Sequence, residues 1–165
     1  MKVYRYASHQ EILQALYNGY EFIGMTKPVS NYKVSSHFYK PGIKYIHFFK
    51  KIEHTKYIEE MYKKQNSLNG FLCEYDIPKQ MLLPGIGIGR YTDDKRNKTV
   101  KLLQFAVPSY KMDLCFLSAI KKSSESEDYL FKFRSNEDIK KAIKYFHDNY
   151  YNENIYEETT PDERQ

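Results

Sequence analysis

Five histidines and two cysteines are the metal-ligating side chains of this chain. His9, His37, His47, His54 and His147 show no zinc-ligand spacing with Cys73 or Cys115, so no metal site is expected. No Gly-x-Ser-x-Gly elbow is present, and neither cysteine sits in a local nucleophile signature. Two other residues stand out by position. His47 lies between Ile46 and Phe48 in a β-prone run. Strand alternation puts Tyr45, His47 and Phe49 on one face. His47 is then either a satisfied, half-buried imidazole or a polar group aimed into a cleft beside aromatic rings. Arg5 lies mid-strand between Tyr4 and Tyr6. An arginine there either closes an edge-strand ion pair or binds phosphate bidentately in a cleft. Ser36, His37, Tyr39 and Lys40 gather hydroxyl, imidazole, phenol and ammonium groups into one loop segment, which suits ligand recognition.

The elements that must position these residues are short. Val3–Ala7 is β-rich and reads as a first strand. Ser8 and Glu11 form a capping box, and Ile12, Leu13 and Leu16 follow at helical spacing to about Asn18. Gly24 to Pro41 reads as a long loop. Lys44–Phe49 is a strand, and Glu53–Gln65 a helix with Tyr57, Ile58, Met61 and Tyr62 on one side. Phe71–Ile77 alternates as a half-buried strand stopped by Pro78. Gly85, Gly87 and Gly89 recur at every second position, which is neither the dinucleotide fingerprint nor a phosphate loop. Thr92–Lys98 reads as a charged turn, Thr99–Val107 as a strand, and Tyr129–Phe133 as a last alternating segment. Ile139, Ala142, Ile143, Phe146 and Tyr150 trace one face of a final helix. The expectation is one α+β domain over residues 1–151, with mixed or antiparallel strands and a few flanking helices. Residues 152–165 are expected to be an acidic, disordered tail.

The chain has 165 residues, 41% of them hydrophobic, and a formal net charge of +5. No segment reaches the roughly 20 apolar residues that span a bilayer. With no apolar leader and two cysteines, free thiols in the cytoplasm are expected. Membrane, collagenous and disulfide-scaffold classes are thereby set aside. Charge is uneven: residues 1–122 carry a net +10 and residues 123–165 a net −5. A body of that sign attracts polyanions. Lys95, Arg96, Lys98 and Lys101 cluster where they would steer a nucleic-acid backbone.

The order of these motifs carries a resemblance. Val-Tyr-Arg-Tyr, a capped helix, a long loop, Tyr-Ile-His-Phe-Phe, a helix, Leu-Cys-Glu-Tyr-Asp-Ile-Pro and Leu-Leu-Gln-Phe-Ala-Val-Pro follow one another over residues 2–110. This resembles small bacterial and phage-associated members of the ADP-ribosyltransferase fold. The resemblance implies NAD as substrate and transfer of ADP-ribose to a macromolecule, as in a toxin or phage-defence effector with an antitoxin or other partner protein. It implies that Arg5 holds the ribose and phosphates, and that His47, Phe49 and Tyr91 line the nicotinamide pocket. Ser36, His37 or Tyr39 would complete the cleft. Gln104 falls where the family's glutamate is expected, so Arg5, His47 and Gln104 form the implied catalytic set. The amide at 104 keeps hydrogen bonding and loses the charge that stabilises an oxocarbenium-like centre. Either the chain is an inactive form, or Glu74 or Asp76 supplies the carboxylate, or the chain only binds. The acceptor is expected to be nucleic acid. The rival readings are a non-catalytic, tyrosine-rich module binding nucleic acid or a phage component, and a metal-free ribonuclease using His37 and His47.

Overall fold

The computed structural model describes residues 1–26, 39–65, 69–93 and 96–150, with the backbone alone described over 86–93 and 96–98. The architecture is α+β. Seven strands, β1 Lys2–Ser8, β2 Tyr45–Phe49, β3 Gly70–Asp76, β4 Leu83–Asp93, β5 Arg96–Pro108, β6 Leu117–Lys121 and β7 Phe131–Lys132, form one sheet. Its order is β4-β5-β2-β1-β3-β6-β7. Every named strand pair is antiparallel. Three α-helices accompany it: α1 His9–Asn18, α2 Lys56–Lys64 and α3 Asn136–Tyr150.

Helices α1 and α3 pack on one face. Val3 and Ala7 of β1, Ile46 and Phe48 of β2, and Phe71, Cys73 and Tyr75 of β3 point there. Ile12, Leu13 and Leu16 of α1 meet them, with Ala142 and Phe146 of α3. Phe146 is fully buried, its ring edge-on to Phe71 at 5.0 Å. Helix α2 lies over the opposite face, where its Tyr62 meets Tyr6 edge-on at 5.2 Å.

The glycine-spaced run, to which the sequence assigned no element, is strand β4. It sits at the sheet edge, where weak strand formers are tolerated and only one neighbour must be paired. The charged turn shrinks accordingly, because β4 reaches Asp93 and β5 begins at Arg96. His9 and His54 are buried, 7% and 8% exposed. The His9 ring lies tilted against Tyr150, centroids 5.4 Å apart, and its Nδ1 lies 3.3 Å from the Asn69 carbonyl oxygen. The expected tail, 152–165, lies outside the described residues.

Gly70 opens β3 against the Tyr6–Tyr62 pair. A Cβ built there would stand 2.2 Å from the Tyr6 ring and 2.6 Å from the Tyr62 ring. Tyr6 is buried and cannot swing away. Gly70→Ala is expected to destabilise the fold by about 1–3 kcal/mol, read by urea unfolding. An unchanged midpoint would show that the aromatic pair does not fix α2 to the sheet.

Candidate functional site

The site begins at a split in the sheet. β1 pairs with β3 at seven register positions but with β2 at one, Tyr4 opposite Phe49. Beyond that pair the two strands part. At the far end of β2 the vacated edge is taken by Met25, which exchanges both backbone hydrogen bonds with Tyr45, at 3.0 and 2.8 Å. Gly24 makes this approach possible. Its φ is +105°, and a Cβ there would lie 2.6 Å from the Tyr45 carbonyl oxygen. Between the two contacts the His47 carbonyl would face the gap without a strand partner. Arg5 Nη1 donates to it at 2.9 Å.

Arg5 has a second task. It alternates with Val3 and Ala7, so it faces α1, where Nε and Nη2 donate to the two Glu11 carboxylate oxygens at 2.7 and 2.5 Å. Glu11 was expected to reach back in a capping box. Its backbone N–H does donate to Ser8 Oγ, at 3.1 Å, while its carboxylate goes to Arg5. The pair is mostly withdrawn from solvent, with side chains 22% and 18% exposed. Burial opposes the Arg5 charge, and the adjoining Glu11 carboxylate outweighs it, holding the guanidinium above its ordinary range. Three of the five N–H groups are thus spent inside the protein. Arg5 is first a clasp joining β1, α1 and β2, which is neither an edge-strand ion pair nor an open phosphate fork.

A cleft of about 470 Å³ opens at the split. Tyr45, His47 and Phe49 of β2 line it, with Leu102 and Gln104 of β5 and the Arg5–Glu11 clasp. The facing wall is α2, through Tyr57, Ile58, Met61 and Tyr62. Its apolar stripe overlooks the cleft. Its polar back is anchored instead: Glu59, 2% exposed, accepts from the Ser124 N–H at 3.3 Å, and Lys56 pairs with Glu125 at 2.5 Å.

Within the cleft two polar side chains matter. Burial, helped by the Arg5 charge, pushes the His47 imidazole down to about 4, so it is neutral at pH 7. The Tyr39 hydroxyl is hydrogen-bonded to its Nε2, and the Tyr39 ring lies along it at 5.8 Å. Gln104 is 8% exposed, and its carboxamide makes no hydrogen bond with any described residue. A buried amide with a free donor and acceptor, pointed at an open volume, is the arrangement a ligand completes.

The structure therefore brings Arg5, His47, Phe49 and Gln104 to one cleft, with Tyr39 hydrogen-bonded to His47. Ser36, His37 and Lys95 lie outside the described residues. Tyr91, Arg96 and Lys98 are placed by backbone alone, Tyr91 opposite Lys98 on the β4–β5 hairpin. That register position is six residues along β5 from Gln104, roughly 20 Å. Lys101 is exposed, and alternation sets it on the face away from Gln104, so it does not line an approach to the cleft. Neither alternative carboxylate reaches the cleft. Glu74 stands in the same row of the sheet but three strands from Gln104, roughly 14 Å away, with the Tyr129 hydroxyl on it. Asp76 is an exposed partner of the N-terminal ammonium group, at 3.1 Å. The α2 wall, Glu11, Gly24 and Met25 were not anticipated as site residues. The Tyr57-Ile58 and Met61-Tyr62 spacing was visible, but a core face has the same pattern.

No family model matches this chain, and no curated protein or solved structure matches it either.

Two outcomes follow from the clasp and from His47. Arg5→Met leaves Glu11 buried without its partner and is expected to cost about 3–5 kcal/mol in urea unfolding, much of it restored in Arg5→Met/Glu11→Gln. A double variant no better than the single one would remove the charge argument. His47 takes up a proton in the folded state only near pH 4, whereas an unfolded histidine does so near 6.5. Between those values the unfolded chain binds more protons, so stability falls as pH drops through that window. His47→Gln should flatten this part of the stability–pH curve; an unaltered slope would assign it to other groups.

Proposed function

We propose that the cleft binds NAD through its nicotinamide end, and that the chain is an ADP-ribosyltransferase-like protein. The observation that carries this reading is the unpartnered Gln104 carboxamide, buried among aromatic rings in a cleft of about 470 Å³. Phe49 and Tyr45 on the sheet and Tyr57 and Tyr62 on α2 offer faces and edges to a flat ring. Cleft volume and lining are those of a small-molecule site. The motif order over residues 2–110 supports the dinucleotide as the ligand class.

The reaction is displacement of nicotinamide from the ribose anomeric carbon by an acceptor nucleophile. The C–N bond to nicotinamide breaks, a bond to the acceptor forms, and the acceptor loses a proton. Positive charge grows on the ribose in between. Among the described lining residues the only carboxylate is Glu11, and Arg5 already holds it. Binding is therefore the stronger half of the proposal and transfer the slower half. The +10 charge of residues 1–122 favours a polyanionic acceptor over a basic protein.

Titration calorimetry with NAD tests the first half. The parent should bind, and Phe49→Ala should weaken binding by about tenfold. Absence of NAD binding by the parent ends the proposal. Labelled NAD incubated with the parent chain tests the second. Label is expected on RNA or DNA. Label confined to protein would overturn the acceptor, and no label at all would leave a binding protein.

A further inference from the structure

We infer that Gln104 sets the ligand specificity of this cleft, pairing with a primary amide on a planar ring and rejecting the same ring carrying a carboxylate. The inference rests on the cleft being an NAD site, and it follows from charge and hydrogen-bond inventory.

Gln104 presents one carbonyl oxygen and one NH₂ group. A primary amide on the ligand presents the same two groups, so the pair can close in both directions. The ligand NH₂ donates to the Gln104 oxygen, and the Gln104 NH₂ donates to the ligand carbonyl. A carboxylate offers acceptors alone. One of its oxygens accepts from Gln104, and the other is left against the Gln104 carbonyl oxygen, acceptor to acceptor.

The rest of the cleft deepens that difference. A carboxylate entering it must shed water and find a cation. Arg5 is the only cation among the described lining residues, and its charge is cancelled by Glu11 at 2.5 Å. The clasp side chains are mostly buried and pinned by three hydrogen bonds, so Arg5 cannot turn to serve the ligand without stranding Glu11. His47 is neutral and already engaged by Tyr39. Over the faces of the lining rings an anion is repelled and a cationic pyridinium attracted. Every component of the site therefore favours a neutral amide on a positively charged ring.

The surroundings also fix which way Gln104 points. It lies opposite Phe49 on β2 and opposite Gly85 on β4. Gly85 has no side chain to cover the amide from the edge-strand side, and Phe49 stands beside it on the same sheet face. The carboxamide is left facing α2 across the cleft.

The test compares two dinucleotides that differ at one group: NAD, and the analogue whose pyridine carries a carboxylate in place of the carboxamide. Calorimetry on the full chain should give at least about tenfold tighter binding of NAD. Gln104→Met keeps the volume and removes both polar groups, and should narrow the ratio to about threefold or less. A urea curve on the same sample establishes that the variant is folded. Should the variant not fold, Gln104→Glu is the second probe, expected to weaken NAD without gaining affinity for the carboxylate analogue. Equal binding of the two ligands by the parent overturns the inference while leaving the NAD site standing; this is the outcome if adenine occupies the cleft. A preference that survives in a folded Gln104→Met assigns the discrimination to another residue and also overturns it. Binding of neither ligand removes the site reading and the inference together.

Discussion

Three hydrogen bonds from one guanidinium decide how this sheet is built. β1 is its middle strand, and it could run alongside β2 for its full length. It does so at one register position and then departs. A backbone carbonyl facing that gap would be costly to leave unmet. Arg5 meets it from the neighbouring strand, and the charge brought in with the guanidinium demands Glu11. Glu11 is available because Ser8 starts α1 at the end of β1, one turn from where the carboxylate is needed. Cap, helix, ion pair and split are therefore one construction. Weakening any part of it would let β1 and β2 close or let the gap fill with water.

The split gives the two sheet faces different duties. Toward α1 and α3 the sheet buries a continuous apolar layer, and there Phe146, Phe71 and Tyr75 pack at full burial or close to it. Toward α2 one row crosses every strand: Gly85, Gln104, Phe49, Tyr4, Glu74, Ala119 and Lys132. The row is polar at several places, so α2 cannot close down on it as a core helix would. Its buried Glu59 and its Lys56–Glu125 pair hold it from behind, by the segment that follows β6. The apolar side of α2 is thus left over an open volume, with Met61 43% exposed. A helix that buries a glutamate and exposes a methionine is arranged around something other than its own packing.

Much of this was legible in the residues and some was not, for reasons of range. Alternation is local, so Tyr45, His47 and Phe49 could be placed on one face and Ile46 and Phe48 on the other from the sequence alone. The Ser8 cap was equally local. An arginine mid-strand announced a special position. What it does there depends on Met25 and Glu11, which reach it through pairing that no short window contains. The same limit explains α2. A stripe at i, i+1, i+4 and i+5 states that one side is apolar and is silent on whether that side meets a core or a cleft. β4 was hidden by composition, since alternate glycines weaken every strand signal. Only its long register with β5 makes it a strand. Arg96 and Lys98 are close to Gln104 in sequence, but the extended β5 backbone sets them further from it by more than 3 Å per residue.

The chemistry open to the cleft follows from the same clasp. Leaving-group departure from a ribose needs negative potential near the anomeric carbon, and a carboxylate is the strongest source a protein has. Among the described lining residues there is one, Glu11, and Arg5 neutralises it. Glu74 is spent on the far side of Tyr4. What remains near Gln104 is the aromatic lining, whose ring faces stabilise a nearby cation by about 0.5–2 kcal/mol each. That suffices to attract a pyridinium, and it falls well short of a charge aimed at the reacting atom. Because the ring faces act on the ground-state cation as well as on the transition state, they improve binding more than rate. On the proposed reading, a site assembled this way favours recognition over transfer.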